Sequence, residues 1–321
     1  MDLIFTNKEW EDEGVLKEYA FDLAYGYDEN DFELVITGDN HCCEEGSLLY
    51  IENTEYGGIV DGIRVATKDN ELVYIGRTWH GILSSKVIEP DDGQDYLVLN
   101  GEANAVIGTI LSKVGLGELF SASADNSGMV VKNYSMVRYV DAYTGIKKML
   151  AEISGKLKFS FSNGKVVLSA QPVVDYSQEE EFDSDQIEMD VEKYFSKTNH
   201  LICLGKGDLA QREVVHLYVD ANGNIGTTQE FFGLDEITAV YDYANAESIE
   251  ELTAYGIEKL AEYASKGSVN LNFDAEQNIY DIGDIVGAIE HIAGIVARET
   301  ITKKIVTIKN GHVNIEYKVG E

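Results

Sequence analysis

The feature that most constrains the fold of this chain is the alternation of apolar and polar residues in short runs separated by turn residues. The alternation fills residues 1–98, where runs at 57–69 and 71–79 flank a turn at 68–70. A period of two places successive side chains on opposite faces of a β-strand. Such closely spaced strands suggest a small barrel or a sandwich, and we expect residues 1–98 to form an N-terminal antiparallel β-barrel.

The spacing of the apolar residues changes to that of helices after residue 98. Val106 and Ile110 belong to a run with helical spacing that Gly115 is placed to end. Asp141 can cap a second helix, predicted over 141–153. Residues 99–194 are therefore predicted to form an α/β module.

Two further signals lie in this α/β module. Asn163-Gly164 favours the positive φ angles of a type I′ hairpin turn. The stretch 175–193 contains nine carboxylates and one lysine, a charge that would be costly to bury. We expect this stretch to be an exposed, mobile loop at a module boundary, and the first place that a protease cuts.

The β pattern resumes over residues 195–321. Asn222-Gly223 predicts a turn between strands, and separate strands are predicted at 269–273, 284–290, 294–304 and 305–319, the last folded into a hairpin at Asn310-Gly311. A helix over 247–266, capped by Ser248 with Glu251, interrupts the region. The predicted fold class is α+β and β-rich, with two small antiparallel β-barrels, 1–98 and 195–321, and an α/β module between them.

Charge and cysteine content limit the function. The chain of 321 residues has 25 Lys and Arg against 57 Asp and Glu, a formal net charge of −32. Such a field repels phosphate, so specific nucleic-acid binding is disfavoured. The three cysteines do not suggest a disulfide framework. Because the N-terminus has no basic start or apolar run and no apolar window is long enough for a span, we expect synthesis in a cytoplasm and no membrane insertion.

Motifs for catalysis and for cofactors are missing from the sequence. Neither GxGxxG nor GxxxxGK[ST] occurs, and neither GxSxG nor HExxH occurs. Carboxylate pairs are too abundant for their spacing to locate or to exclude glycosidase chemistry. The sequence therefore predicts no catalytic residues, no bound cofactor and a protein that is not an enzyme.

A zinc site is the best metal hypothesis. Its ligands would be His41, Cys42 and Cys43 with His200 and Cys203, if the two segments meet. Adjacent cysteines point to opposite faces of an extended strand, and the C-x-x-C spacing is missing. Ordinary loop and core roles are therefore favoured, and no metal site is predicted.

A calcium loop is the second metal hypothesis. Asp220-x-Asn222-x-Asn224 begins like a calcium-binding loop, but Ile225 and Phe231 occupy the positions that need glycine and glutamate. A hairpin turn is the better interpretation. None of the histidines has a triad-like context, and each is read as structural: His41, His80, His200, His216, His291 and His312.

Residues 74–90, YIGRTWHGILSSKVIEP, resemble a signature of tail-tip hub proteins in siphophages and prophages of Gram-positive bacteria. Arg77 and Trp79 lie within it. The following residues up to Gly115 and the ending, with Gly283-Asp284 before a β run, are also similar to that family. The signature positions are matched by Gly76, Thr78, Ile82, Leu83, Lys86, Val87 and Ile88.

The resemblance implies a structural role in a virion. The family is similar in fold to the myophage baseplate hub, in which two small barrels per subunit assemble as a trimer into a ring. It implies a self-associating ring, a homotrimer, at the tail tip, with distal-tail and fibre or spike proteins as partners. Larger family members carry peptidase or fibre extensions, and because this sequence ends at Glu321 such an activity is disfavoured.

Two other classes of function remain open. A tail-associated cell-wall hydrolase would require a cleft with paired carboxylates of perturbed pKa. A carbohydrate- or receptor-binding module would require an exposed aromatic platform, built from some of the 19 tyrosines. Most of these tyrosines are expected to be ordinary strand residues.

Overall fold

A computed structural model of the chain describes residues 1–26, 28–37, 41–66, 71–178, 181–183, 188–192, 197–246, 248–264, 268–272, 280–290, 295–309 and 311–319. The described chain is rich in β-strands and has few helices. The helices are α1 Trp79–Ser84, α2 Ala103–Lys113, α3 Ala142–Ala151 and α4 Ile249–Ala264.

The strands are numbered in chain order. They are β1 Leu3–Thr6, β2 Asp12–Leu16, β3 Ala20–Gly26, β4 Asp31–Thr37, β5 Leu48–Tyr50, β6 Gly57–Ala66, β7 Glu71–Thr78, β8 Val87–Ile88, β9 Leu97–Glu102, β10 Phe120–Ala122, β11 Val130–Met136, β12 Val140–Asp141, β13 Gly155–Ser162, β14 Lys165–Pro172, β15 Glu181–Asp183, β16 Glu188–Glu192, β17 His200–Leu204, β18 Val214–Val219, β19 Ile225–Gly226, β20 Thr238–Asp242, β21 Ser268–Asn272, β22 Ile285–Glu290, β23 Ile295–Lys309 and β24 His312–Val319.

The chain divides into two compact units. The first contains Met1–Met189 together with Asn270–Glu321, and the second contains Asp190–Val269. The division near 190 is close to the predicted boundary at 194. The predicted boundary at 98 is not a division of the structure, and the predicted C-terminal module of 195–321 is split between the units.

The reason for the split is the pairing of the C-terminal strands. β23 pairs antiparallel with β3, from Lys303 opposite Gly26 to Lys309 opposite Ala20. The resulting eleven-stranded sheet has the order β15-β22-β23-β3-β4-β7-β6-β5-β1-β2, with β24 also on β23. The order of the described strands begins at β15 and ends at β2, and these two edge strands are not paired with each other. The expectation of two small closed barrels is therefore not confirmed.

β23 also corrects a strand prediction. Residues 294–304 and 305–319 were expected to hold three short strands, but β23 runs without interruption for 15 residues before the β24 hairpin. Its first part pairs with β22, and its second part pairs with β3 on one side and β24 on the other. Partners along its whole length keep the backbone extended. Asn310, half of the predicted turn, lies outside the described residues.

Two helices of the first unit, α2 and α3, lie where the sequence predicts them, whereas α1 lies within residues 1–98, where only strands were expected. Glu102 caps α2, and the Asp141 carboxylate caps α3 by accepting from the Thr144 backbone N–H at 2.9 Å. Asn163 and Gly164 have φ angles of 53° and 72°, which confirms the predicted turn between β13 and β14. The apolar faces of α1, α2 and α3 share one core with these strands, which includes Trp79, Leu83, Ile107, Ile110, Ile146, Met149, Phe159 and Phe161.

The acidic stretch 175–193 contains more structure than the predicted loop. β15 pairs parallel with β22, and β16 pairs with β21 in a two-stranded sheet. Backbone pairing does not require the carboxylates to be buried, so charge alone did not exclude strands here. Residues 179–180, 184–187 and 193 lie outside the described residues, and the predicted mobility of the stretch stays a prediction.

The second unit is a four-stranded sheet with one helix. The strand order is β19-β18-β17-β20, and α4 packs on β17 and β18 through a core of Leu201, Cys203, Leu217, Ala246, Leu252 and Leu260. A Cβ at Gly256 would lie 2.5 Å from the Cys203 sulfur, so glycine permits the close approach of helix and sheet. The predicted helix 247–266 is confirmed as α4, with the Ser248 hydroxyl accepting from the Glu251 N–H. No helix in the described part of the chain is long and apolar enough to cross a membrane.

Candidate functional site

The most buried ionic cluster of the first unit joins β13 to the segment before β22. Lys156 donates to both carboxylate oxygens of Asp284 at 2.7 Å and lies 2.8 Å from Asp281. Asp284 also accepts from the backbone N–H of Val174 and of Asp281. Burial acts to raise the pKa of Asp281, but the hydrogen bond and charge of Lys156 hold it below its ordinary value. Every charge in this cluster has a partner, which is typical of a structural tie.

A second buried lysine joins β23 to the segment before β6. Lys304 is 1% exposed and is paired with Glu55. Its ammonium group lies 5.7 Å from the ring centroid of Tyr317 and 5.9 Å from that of Tyr56. Burial acts to lower the pKa of Lys304, but the charge of Glu55 raises it above its ordinary value. The group stays a cation that ties two segments of the first unit together.

Two residues of the motif at 74–90, Arg77 and Trp79, make contacts of a structural kind. Arg77 makes a bidentate ion pair with Asp61, with a closest distance of 2.7 Å. Trp79 is fully buried and stacks on Phe161 with 5.4 Å between ring centroids. Thr78 between them caps α1 by accepting from the Gly81 N–H. The motif at 74–90 is therefore a strand-to-helix corner built for packing.

His80 is the most buried histidine of the described chain. Its ring stacks on Tyr25 at 4.4 Å and lies 3.8 Å from the Phe159 ring. Burial lowers its pKa well below the ordinary value, and the charges of Lys147 and Lys304 act in the same direction. A histidine held neutral between aromatic rings serves packing. His41 contacts Tyr74 edge-on, His312 is exposed in β24, and His291 lies outside the described residues.

The second unit contains a chain of three polar side chains that the sequence did not predict. His200 Nδ1 lies 2.6 Å from the Glu236 carboxylate, and His200 Nε2 lies 2.9 Å from His216 Nδ1. The residues are separated by 16 and 36 positions, and they meet because β18 and β20 both pair with β17. In the tautomer whose Nδ1–H donates to the carboxylate, His200 Nε2 can accept a hydrogen bond from His216 Nδ1. The arrangement orients the exposed His216 imidazole.

Metal binding receives no support within the described residues. No group of three or more His, Cys, Asp or Glu side chains in this part of the chain is placed to hold an ion. Cys42 and Cys43 meet each other, with their sulfur atoms 3.5 Å apart, and Cys203 lies in the core of the second unit. The Asp220 carboxylate accepts from the N–H groups of Asn222 and Asn224 and so closes a turn. Gly223 alone has the positive φ there, so this turn is not type I′.

An apolar pocket of about 410 Å³ opens in the first unit. Leu157, Val173, Ile285 and Ile301 line it, and Lys147 lies at its wall. Burial lowers the pKa of Lys147, whose ammonium group lies 4.1 Å from the Tyr143 ring centroid. The pocket therefore has a mainly apolar lining and a lysine that already contacts an aromatic ring. This is not the arrangement of nucleophile, base and oxyanion-stabilising groups expected of a hydrolase.

The surface that best fits a functional site is the face of the second unit's sheet opposite α4, which we call the open face. Ile202 of β17 lies there between His216 of β18 and Val240 of β20. Val240 is 58% exposed and Val214 is 47% exposed. Two short loops at opposite ends of this sheet expose Leu209 and Leu234 almost fully. Exposed apolar residues that share one face make that face a candidate for contact with another protein.

One tyrosine, Tyr218 of β18, lies on the open face, where its ring stacks on His200 with 4.4 Å between ring centroids. Many of the other tyrosines lie in the core, in strands and outside them: Tyr19, Tyr25, Tyr50, Tyr56, Tyr74, Tyr134, Tyr143, Tyr280 and Tyr317. The exposed ones include Tyr96 and Tyr139, in the loops before β9 and before β12. Among the described tyrosines, seven lie in strands: Tyr25, Tyr50, Tyr74, Tyr134, Tyr218, Tyr241 and Tyr317. The expectation that most tyrosines are strand residues is therefore not confirmed.

Comparisons with known proteins identify solved structures of similar fold. No protein-family model matches the sequence, and no curated protein sequence is similar to it. Among solved structures, the prophage MuSo2 43 kDa tail protein from Shewanella oneidensis superimposes with a TM-score of 0.61 at 10% identity, covering 100% of this chain and 98% of that one. Prophage tail protein gp18 from Listeria monocytogenes EGD-e gives 0.54 at 13% identity, covering 100% and 95%. The tail protein from Neisseria meningitidis MC58 gives 0.52 at 13% identity, covering 100% and 96%.

Proposed function

We propose that this chain is a structural hub protein of a phage or prophage tail tip, where it joins the tail tube to distal fibre or spike proteins. The observation that carries the proposal is the fold similarity to three tail proteins, which extends over the whole chain and nearly all of each relative. The resemblance of residues 74–90 to a hub signature supports the same conclusion and favours a siphophage of a Gram-positive host. A fold analogy needs a direct test of location.

The proposed assembled form is a ring of identical copies, a homotrimer. Among the described strands, β2 and β15 end the large sheet, and β19 and β20 end the small one. Strand edges carry unpaired backbone groups that another chain can cover. Heterologous contacts between identical copies are finite only when they close into a ring. The open face supplies an apolar surface for such a contact or for a distal-tail protein.

The charge of the chain fits passage of DNA through such a ring. A channel that transmits DNA must not bind it, and a formal net charge of −32 per subunit repels the phosphate backbone. We propose that part of this charge lines the channel. The rest faces water and keeps the subunit soluble before assembly in the host cytoplasm.

A structural role also fits the chemistry of the described residues. Two buried lysines of the first unit, Lys156 and Lys304, are each paired with a carboxylate. Glu236, His200 and His216 contact one another, but no cluster of His, Cys, Asp or Glu side chains among the described residues is placed to hold a metal ion. We therefore propose that the protein is not an enzyme. Hydrolysis of peptidoglycan by the purified protein, abolished by His216→Ala or by one carboxylate substitution, would overturn this proposal.

Location is tested by electron microscopy of tails. A tag inserted between Asn222 and Gly223, in an exposed turn of the second unit, should be labelled at the axis of the tail tip. Copies found along the tail tube, or in no virion, would refute a hub. Binding of the purified protein to glycans of the host surface in the absence of other tail proteins would instead support a receptor-binding module.

The open face is tested by paired substitutions. Val240→Lys and Val214→Lys place a charge on the apolar surface, while Thr228→Lys adds the same charge at an exposed residue that belongs to no described strand. We expect the first two variants to fold but to lose incorporation into tails by tenfold or more, which is about 1.4 kcal/mol of binding free energy. Thr228→Lys should assemble normally. Equal assembly of all three variants would exclude the open face from the interface.

A further inference from the structure

The loop between β4 and β5 brings two thiols into contact. Cys42 and Cys43 are adjacent in the sequence, and their Sγ atoms lie 3.5 Å apart. The hydroxyl oxygen of Tyr74 accepts from the backbone N–H of Cys42 at 2.9 Å and from that of Cys43 at 3.2 Å. Tyr74 is fully buried in β7, so it fixes the backbone of the pair. This anchor turns both side chains toward one another, which an extended strand would not do.

The two thiols differ in exposure and in acidity. Cys43 is 2% exposed, whereas Cys42 is only half-buried. The hydrogen bond from Cys43 lowers the pKa of Cys42 to about 7, against the effect of burial, and the Tyr74 hydroxyl adds to the lowering. The same hydrogen bond and burial raise the pKa of Cys43. The accessible thiol is therefore the one that ionises at neutral pH, and the thiolate is the reactive form of cysteine.

We propose that Cys42 and Cys43 form a reactive dithiol, a modification site that accepts low-molecular-weight disulfides by exchange and closes a disulfide within the pair. In the first step the Cys42 thiolate attacks one sulfur of oxidised glutathione, a mixed disulfide forms, and one glutathione leaves as thiolate. In the second step the Cys43 thiol loses its proton to solvent and attacks the Cys42 sulfur. The second glutathione then leaves, so two protein thiols are oxidised and one glutathione disulfide is reduced to two thiols.

The closed form is expected to be easily reduced. Adjacent Cα atoms are about 3.8 Å apart across a trans peptide, closer than the roughly 4.4–6.8 Å usual for disulfides. Such a bond is strained, and strained disulfides have more oxidising potentials. The pair would therefore be a dithiol in a reducing cytoplasm and a disulfide after release into an oxidising medium. Closure also moves the two N–H groups that bind Tyr74.

The test uses the full chain with Cys203→Ser as background, because Cys203 is a third thiol, buried in the second unit. After incubation with oxidised glutathione at pH 7, intact mass should fall by two hydrogens, and the peptide that contains both cysteines should carry the loss. Dithiothreitol should reverse it. An unchanged mass, or oxidation that links two chains, would overturn the proposal.

Single variants assign the two roles. Cys43→Ser should stop at a stable adduct of one glutathione on Cys42. Cys42→Ser should react at least about tenfold more slowly, since the remaining thiol is buried and has the raised pKa. Far-ultraviolet circular dichroism checks that each variant folds. Equal rates for the two variants, or a wild-type reaction that stops at the adduct, would contradict the proposed order of steps.

Discussion

At the scale of single residues, Lys156 shows why a buried charge depends on its partners. Lys156 belongs to β13, is buried, and forms ion pairs with Asp281 and Asp284. Replacing one member of a buried ion pair leaves the other charge uncompensated in a medium that solvates it poorly. Lys158, two residues along the same strand, also pairs with Asp281 but is 42% exposed. The two lysines therefore form a matched pair for substitution.

We expect Lys156→Met to lower the free energy of unfolding by about 3–5 kcal/mol. Lys158→Met should lower it by less than about 1 kcal/mol, because water and salt screen an exposed pair. Urea titrations at pH 7, followed by circular dichroism, measure both values. Similar losses for the two variants would show that burial does not set the strength of this cluster.

The same cluster predicts a dependence of stability on pH. The pKa of Asp281 is lowered in the folded state, so its contribution is complete above the unfolded value of about 3.9 and is lost as pH falls through the lower folded value. Lys156→Met removes the main cause of the shift. The variant's free energy of unfolding should therefore fall less steeply than the wild type's between about pH 5 and pH 2. Parallel curves would contradict this assignment.

At the scale of secondary-structure elements, α3 depends on a cap that was visible in the sequence. Asp141 accepts from the Thr144 N–H, one of the helix N–H groups that have no partner within the helix. Asp141→Ala should lower the free energy of unfolding by about 1 kcal/mol, and Asp141→Asn should restore most of it. Asp92→Ala, at an exposed carboxylate outside any helix, is the control and should have little effect. Thermal unfolding of the three variants decides the question.

At the scale of the whole molecule, net charge opposes assembly. Thirty-two excess negative charges per subunit repel a second copy at low ionic strength, and salt shortens that repulsion to about 8 Å at physiological concentration. We expect light scattering to detect monomers at low salt and a larger species, a trimer, at high salt or with the distal-tail partner. A monomer under every condition, together with no copy at the tail axis, would refute the proposed ring.

The sequence by itself determined the local elements. The Asp141 cap, the Asn163-Gly164 turn and the Ser248 cap of α4 were predictable because each acts over a few residues. The strands β6 and β7 were also predictable, from the alternation of apolar and polar residues. The resemblance of residues 74–90 to tail hubs led to the proposed class of protein, and the comparisons show a similarity of fold to three tail proteins.

Only the tertiary structure decided which strands are neighbours. The alternation of apolar and polar residues shows that residues 295–309 are extended, but it does not show that they pair with β3, near the start of the chain. The predicted division into two barrels could therefore not be corrected from the sequence pattern. The meeting of His200 with Glu236 and His216, and of Lys156 with Asp284, depends on the same long-range register. The sulfur contact of Cys42 with Cys43 depends on Tyr74, 31 residues away from Cys43. Pairing over such distances is set by the free energy of the whole packed core, which no local pattern contains.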